Sequence, residues 1–146
     1  MNIRKLAIDD YDGVLALWLS CTGMGLNDVD DSLTGLARFL SRNPETCFAA
    51  FNEGIIVGVI LLGDDGRRGY IYHLAVSPHE RGKGFGRRLV EEALSAAEKL
   101  GITKVECVVF QRNEAGNQFW EHLGFTARPD LVFRNRSLRS VTRTDT

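Results

Sequence analysis

Three cysteines among 146 residues are too few, and too odd a number, for a disulfide framework. Cys21, Cys47 and Cys107 lie far apart and none has a close cysteine neighbour. No metal site is expected, and a reducing, cytoplasmic setting is. Neither sign of charge is in surplus: 18 Lys and Arg stand against 19 Asp and Glu, a net charge of −1. No global field draws the chain toward nucleic acid or an anionic membrane, so neither is expected as a partner. No apolar run approaches the ~20 residues of a membrane span. Residues 1–6 lack the apolar stretch of a signal peptide. Repeats, low-complexity blocks and a convincing linker are missing too. What is there reads as one domain over residues 1–146, 44% hydrophobic and 25% charged, large enough for its own core.

Apolar spacing divides the chain into short elements. Residues 3–6 read as a strand. Asp9 or Asp10 can cap a helix carrying Tyr11, Val14, Leu15 and Trp18 on one face. Ser32 can cap a second, with Leu33, Leu36, Ala37 and Leu40 along its stripe, and Pro44 ends it. Residues 21–31, between the two, are irregular and rich in Asp and Gly. Residues 47–51, 55–62 and 69–76 predict three strands joined by polar, Gly-containing turns, hence antiparallel hairpins. Residues 86–100 predict an amphipathic helix stopped by Gly101, residues 104–110 a strand, and residues 114–123 a shorter helix stopped by Gly124. Residues 131–133 are the clearest part of a last strand. Residues 69–110 thus read strand, helix, strand, a crossover that sets two parallel strands in one sheet. The Arg-rich tail is expected to fray from residue 137.

The most informative stretch is the run Arg81, Gly82, Lys83, Gly84, Phe85, Gly86, Arg87, Arg88, between a strand and the strongest helix. Alternate glycines let a backbone approach a ligand closely and adopt dihedrals closed to other residues. The first turn of the helix that follows has unpaired N–H groups and a partial positive charge. Four cations stand here against Glu80. Together they read as a phosphate or pyrophosphate site, against the alternative of a tight turn with solvated arginines. The glycine spacing is one residue short of the dinucleotide fingerprint. The Ser or Thr that a P-loop needs after Gly and Lys is absent.

The run from Leu74 to Gly86 resembles the central motif of the Gcn5-related N-acetyltransferases (GNAT). That motif is Arg or Gln, two residues, Gly, one residue, then Gly or Ala, and Arg81, Gly84 and Gly86 fill its places. One helix and one strand later, Asn113, Ala115 and the stretch Phe119, Trp120, Glu121, His122, Leu123, Gly124, Phe125 resemble the family's closing motif. The likeness implies a mixed α/β fold, a mostly antiparallel twisted sheet of six to seven strands. About four helices cover its two faces, and the fourth and fifth strands splay apart. It implies acetyl-coenzyme A (acetyl-CoA) as co-substrate and no metal. The pantetheine arm would pair with the backbone of Leu74, Ala75 and Val76, where an N–H would polarise the thioester carbonyl. The pyrophosphate would rest on the N–H groups of Arg81, Gly82, Lys83, Gly84, Phe85, Gly86 and Arg87, and Asn113 would bond the arm. Many relatives dimerise through their later strands, so a homodimer is one option.

The implied reaction is direct attack of a primary amine, from a small amine, an amino acid or a protein, on the thioester. The ammonium must first lose a proton, and the leaving thiolate benefits from gaining one. Family members often place a Tyr for the second task where this chain has Trp120. An indole N–H can donate a hydrogen bond but cannot deliver a proton. For the base, Glu106 stands first, on a mostly apolar strand that would raise its pKa, with His73 and Tyr72 behind and a water chain as an alternative. Strict alternation along residues 69–76 sets Tyr70, Tyr72 and Leu74 on one face and Ile71, His73 and Ala75 on the other. His73 would then face away from Tyr72. Acidic residues 27–31 either favour a cationic acceptor or serve as caps in a solvated loop. A non-catalytic acyl-CoA sensor or regulatory module on the same fold is the competing reading.

Overall fold

The computed structural model describes residues 2–145. Strands β1 (Asn2–Lys5), β2 (Phe48–Asn52), β3 (Ile55–Asp64) and β4 (Gly69–Val76) pair antiparallel in chain order. Strand β5 (Val105–Glu106) closes the edge parallel to β4. Helices α1 (Tyr11–Ser20) and α2 (Leu33–Arg42) lie between β1 and β2 in the chain, α3 (Phe85–Lys99) between β4 and β5, and α4 (Glu114–His122) after β5.

The sheet is buried on both faces. On one, Val14, Leu17 and Trp18 of α1 and Leu36 and Leu40 of α2 pack on Ala49, Val59, Leu61 and Ala75. On the other, Phe85, Leu89, Val90, Ala93 and Ala97 of α3 pack on Ala50, Ile60, Leu62 and Ile71, with Phe119 and Trp120 of α4 alongside. Trp18 is fully buried. Truncating a side chain of that size in such a core costs about 3–5 kcal/mol. Gly58 lacks a side chain because Leu89 fills its place: a Cβ there would meet Leu89 Cδ1 at 2.8 Å.

The described residues hold five strands, where six to seven were expected. The strand predicted over residues 104–110 survives only as Val105–Glu106. Beyond it the chain already turns into α4: the Phe110 carbonyl accepts the Asn113 N–H at 3.0 Å and Asn117 Nδ2 at 3.0 Å. Residues 131–133 form no strand. Arg128 makes two hydrogen bonds to the Asp130 carboxylate at 2.9 and 2.8 Å, and the Leu131 N–H closes a turn onto the Arg128 carbonyl. The chain's end also differs from a frayed tail. Thr144 N–H bonds the Leu26 carbonyl, Asp28 N–H bonds the Thr142 carbonyl, and the Asp145 carboxylate takes the N–H groups of Gly25 and Leu26. Asp10 does not cap α1. Its carboxylate takes the Ala7 N–H and the Arg4 guanidinium instead.

Candidate active site

The glycine-rich turn leaves β4 and enters α3 with its backbone donors free. Gly84 is the residue before the first turn of α3, at φ 87°, and no side chain caps that turn. Its left-handed dihedral suits glycine, as does that of Gly82 at φ 78°. A Cβ at either would meet nothing within 4 Å, so the surface above both is open. Gly86 differs: a Cβ there would lie 3.3 Å from the Phe119 ring and 3.6 Å from Val76. Its lack of a side chain serves the packing of α4 on α3 as well as any ligand. The first intrahelical bond runs from the Arg88 N–H to the Gly84 carbonyl at 3.1 Å, so the N–H groups of Phe85, Gly86 and Arg87 have no helical acceptor.

The cations of the turn are partly engaged. Arg81 reaches back, donating to the Val76 carbonyl at 3.2 Å and to Cys21 Sγ at 3.6 Å. It therefore ties the end of β4 to the end of α1. Lys83 pairs with Glu80 at 2.9 Å and Arg87 with Glu91 at 2.9 Å. The Lys83 bond, with a second from Asn52, holds the Glu80 carboxyl below its usual range. The Arg88 guanidinium makes no ion pair among the described residues.

Beside the turn, β4 parts from β5. Their ladder ends after Gly69 opposite Val105 and Tyr70 opposite Glu106, so from Ile71 to Val76 one edge of β4 has no strand partner. Leu74, Ala75 and Val76 lie along that stretch.

A bulge then overturns the expected alternation. Tyr72 stands opposite Leu61 and Ala75 opposite Val59, so His73 and Leu74 together face the single residue Ile60. His73 takes up the extra residue with φ 48°. The sides therefore switch: Ile71 packs with α3, whereas Ala75 packs with Trp18 on the α1 and α2 side. His73 sits on that second side too, its ring 5.2 Å from Trp18. There it meets Tyr72, whose ring lies 5.8 Å from Phe39 of α2 and 4.6 Å from Tyr70. His73 Nε2 and Asp31 Oδ1 are 2.8 Å apart. From sequence, Asp31 belongs to the acidic loop that either favours a cationic acceptor or serves as a cap. Nothing local marks this partnership, since 42 residues separate the two. Burial raises the pKa of the Tyr72 hydroxyl, and the charge of Asp30 raises it further.

Residues 11–125 match the acetyltransferase (GNAT) family. The chain belongs to the GNAT family. It is 31% identical over 136 residues to an acetyltransferase of Yersinia pestis, covering 93% of this chain and 95% of that protein. It is 32% identical over 138 residues to one of Photorhabdus laumondii, with 93% and 95% covered. Among solved structures, Ard1 from Thermoplasma volcanium shares the fold at TM-score 0.76 and 20% identity, over 86% of this chain and 82% of that one. PaiA N-acetyltransferase from Thermoplasma acidophilum, solved in complex with coenzyme A, shares it at TM-score 0.74 and 22% identity, over 87% and 90%.

Within this GNAT chain, Trp120 and Asn113 each make contacts inside the fold. Trp120 is half-buried between Phe119 and Phe125, with ring centroids 5.2 and 4.9 Å away, and packs against the core on the α3 side. Asn113 caps α4, its Oδ1 accepting the Gly116 N–H at 2.9 Å. Its Nδ2 keeps donor capacity for a ligand. Cys107 lies beside Tyr70, its thiol pushed up to about 11 by burial, and so is a poor nucleophile. Glu106 is exposed at the last rung of the β4 and β5 ladder, without the apolar surroundings expected of it. The acidic loop is mostly self-satisfied: Asn27 takes the N–H groups of Val29 and Asp30, and Asp28 that of Thr142. Among the described residues no cluster of His, Cys, Asp or Glu could hold a metal ion, and no helix is long and apolar enough to cross a membrane.

Proposed function

We propose that this acetyltransferase moves the acetyl group of acetyl-CoA to a primary amine by direct attack. The observation that carries the reading is the open N-terminus of α3, with Gly82 and Gly84 uncovered above it, next to the unpaired edge of β4. The N–H groups of that turn suit the coenzyme's pyrophosphate. The free edge of β4 at Leu74, Ala75 and Val76 suits the amides of a pantetheine arm, which can add to it as a further strand does. A thioester carried along that edge passes the bulge at His73. An N–H there would bear on the carbonyl oxygen as it gains charge. Asn113 Nδ2 is a further donor for the arm.

The acceptor comes from the α1 and α2 side, onto Tyr72 and Phe39. The field of Asp30 that disfavours a Tyr72 phenolate favours an ammonium ion there. The Yersinia and Photorhabdus relatives carry the name acetyltransferase, which agrees with the reading. Calorimetry with acetyl-CoA, together with release of free thiol across a panel of amines, tests it. Binding with amine-dependent thiol release is expected. Absence of binding at near-millimolar coenzyme would overturn the reading, and binding with no release across a broad panel would leave a sensor instead.

A further inference from the structure

We infer that Asp31 and His73 form the proton-accepting pair of this acetyltransferase, His73 as the base and Asp31 as the residue that positions it. The inference rests on the acetyl-transfer reading and supplies the group that handles its first proton.

Geometry comes first. The two side chains meet at 2.8 Å with 6% of Asp31 and 18% of His73 exposed. Asp31 is fixed from two further directions: its Oδ2 accepts the Asn27 N–H at 2.9 Å and its carbonyl accepts the Tyr11 hydroxyl at 2.8 Å. An ionised carboxylate can only accept, so Nε2 carries the hydrogen and Nδ1 keeps the lone pair. Nδ1 has no hydrogen bond among the described residues. It is not sealed in either, because the buried side-chain atom left without a partner there is Trp18 Nε1. That orphaned indole N–H belongs to the ring packed on His73. Burying such a donor costs roughly 1–3 kcal/mol.

Backbone strain is the second argument. A non-glycine residue held at φ 48° costs about 1–3 kcal/mol and persists where its surroundings demand it. Here the bulge carries His73 out of the α3 side and onto the Asp31 side. An extended His73 would follow strict alternation and miss its partner.

The chemistry balances. Neutral Nδ1 takes a proton from the acceptor ammonium and becomes imidazolium beside the Asp31 carboxylate. The freed nitrogen lone pair forms the C–N bond, and the carbonyl pair moves to oxygen. On collapse the C–S bond breaks with its electrons on sulfur. The second nitrogen proton leaves with the thiolate, and the imidazolium returns its proton to water. The charged and titratable groups around His73 are Asp31 and Asp30 from the loop, Tyr11 from α1, Tyr72 beside it on β4, and Cys21 with Arg81 at the end of β4. Strand β3 brings only Val59, Ile60 and Leu61.

The test is the pH profile of kcat at saturating acceptor, which reports groups in the bound complex. His73→Asn, a residue that tolerates a left-handed dihedral, should lower kcat about 100-fold or more and abolish the acid limb. Its affinity for acetyl-CoA should stay within about threefold of the parent. His73→Gln is the second replacement, should the first not fold. Asp31→Asn should lower kcat about tenfold and move the acid limb to lower pH, because the imidazolium loses its counter-charge. Asp31→Glu should recover part of both. A purely structural role for Asp31 would shift the thermal midpoint without moving the limb. Retention of kcat and of the acid limb in both His73 variants would overturn the pair, as would transfer of the limb's loss to Glu106→Gln. A parent protein that binds no acetyl-CoA would overturn the transfer reading itself, a separate result.

Discussion

Helices α3 and α4 pack on the same side of the sheet and begin in opposite ways. At α4, Asn113 folds its side chain over the first turn and takes the Gly116 N–H. A Cβ on Gly116 would lie 2.5 Å from Asn113 Nδ2, so the cap fills its space. At α3 the corresponding residue is Gly84, with no side chain to offer. A glycine in place of a capping side chain costs a helix about a few tenths of a kcal/mol. Helix α3 can bear that, because its 15 residues bury Phe85, Leu89, Val90, Ala93 and Ala97. Helix α4 has nine residues and none of them fully buried. The start of α4 is closed by its own cap, and the start of α3 is left open.

Four substitutions break or sharpen that contrast. Gly84→Glu sets bulk and negative charge over the open turn and should weaken acetyl-CoA binding on the order of 100-fold, about 2.8 kcal/mol, read by calorimetry. The strained dihedral adds about 1–2 kcal/mol of lost stability. Gly84→Ala carries most of that strain and little of the binding loss, so the two effects separate. Asn113→Ala should reverse the pattern. It should lose about 1 kcal/mol of stability, with a fall of roughly 3–5 °C in Tm, and change coenzyme affinity less than Gly84→Glu does. Gly86→Ala presses on Phe119 at 3.3 Å. The gain in helix propensity, about 0.5–1 kcal/mol, offsets that crowding. Its net effect on the midpoint of denaturant unfolding should be smaller than that of Asn113→Ala.

The smallest effect belongs to a third helix start, α1, where Asp10 serves Arg4 and the Ala7 N–H instead of α1. The Arg4 hydrogen bond, foremost, holds the Asp10 carboxyl below its usual value. A depressed carboxylate stabilises the fold above its unfolded pKa of about 3.9 and loses that contribution as pH falls through the lower, folded value. Arg4→Ala should therefore cost under about 1 kcal/mol at neutral pH. It should also flatten the loss of stability in that acid window, measured by thermal melts between neutrality and strong acid.

The turn into α3 is readable from residue order, and the surroundings of His73 much less so. Glycines at alternate places before an amphipathic stretch require an unusual turn at a helix start, and Gly82 and Gly84 provide one. The crossover that brings β5 parallel to β4 also follows from order alone. The bulge at His73 does not. A run of aromatic and β-branched residues alternates equally well with or without an extra residue, and the pairing with Asp31 forms only once α2 docks on the sheet. Strict alternation therefore sets His73 on the face opposite Tyr72, whereas the bulge puts both on one side. The same limit explains the strand predicted over residues 104–110. Its apolar alternation is real, but Val108 and Phe110 are exposed and the ladder stops at Glu106. The packing of Trp120 between the rings of Phe119 and Phe125 likewise depends on the turn after α4, which residue order alone does not show.

The central claim is that the uncapped start of α3 receives the coenzyme's phosphates. The most direct measurement is backbone amide NMR during titration with acetyl-CoA. The largest shifts should fall on Gly82, Gly84, Phe85, Gly86 and Arg87, with the capped Gly116 amide of α4 moving little. Saturable binding that leaves the α3 turn unmoved, or that shifts Gly116 more than Gly84, would contradict the account.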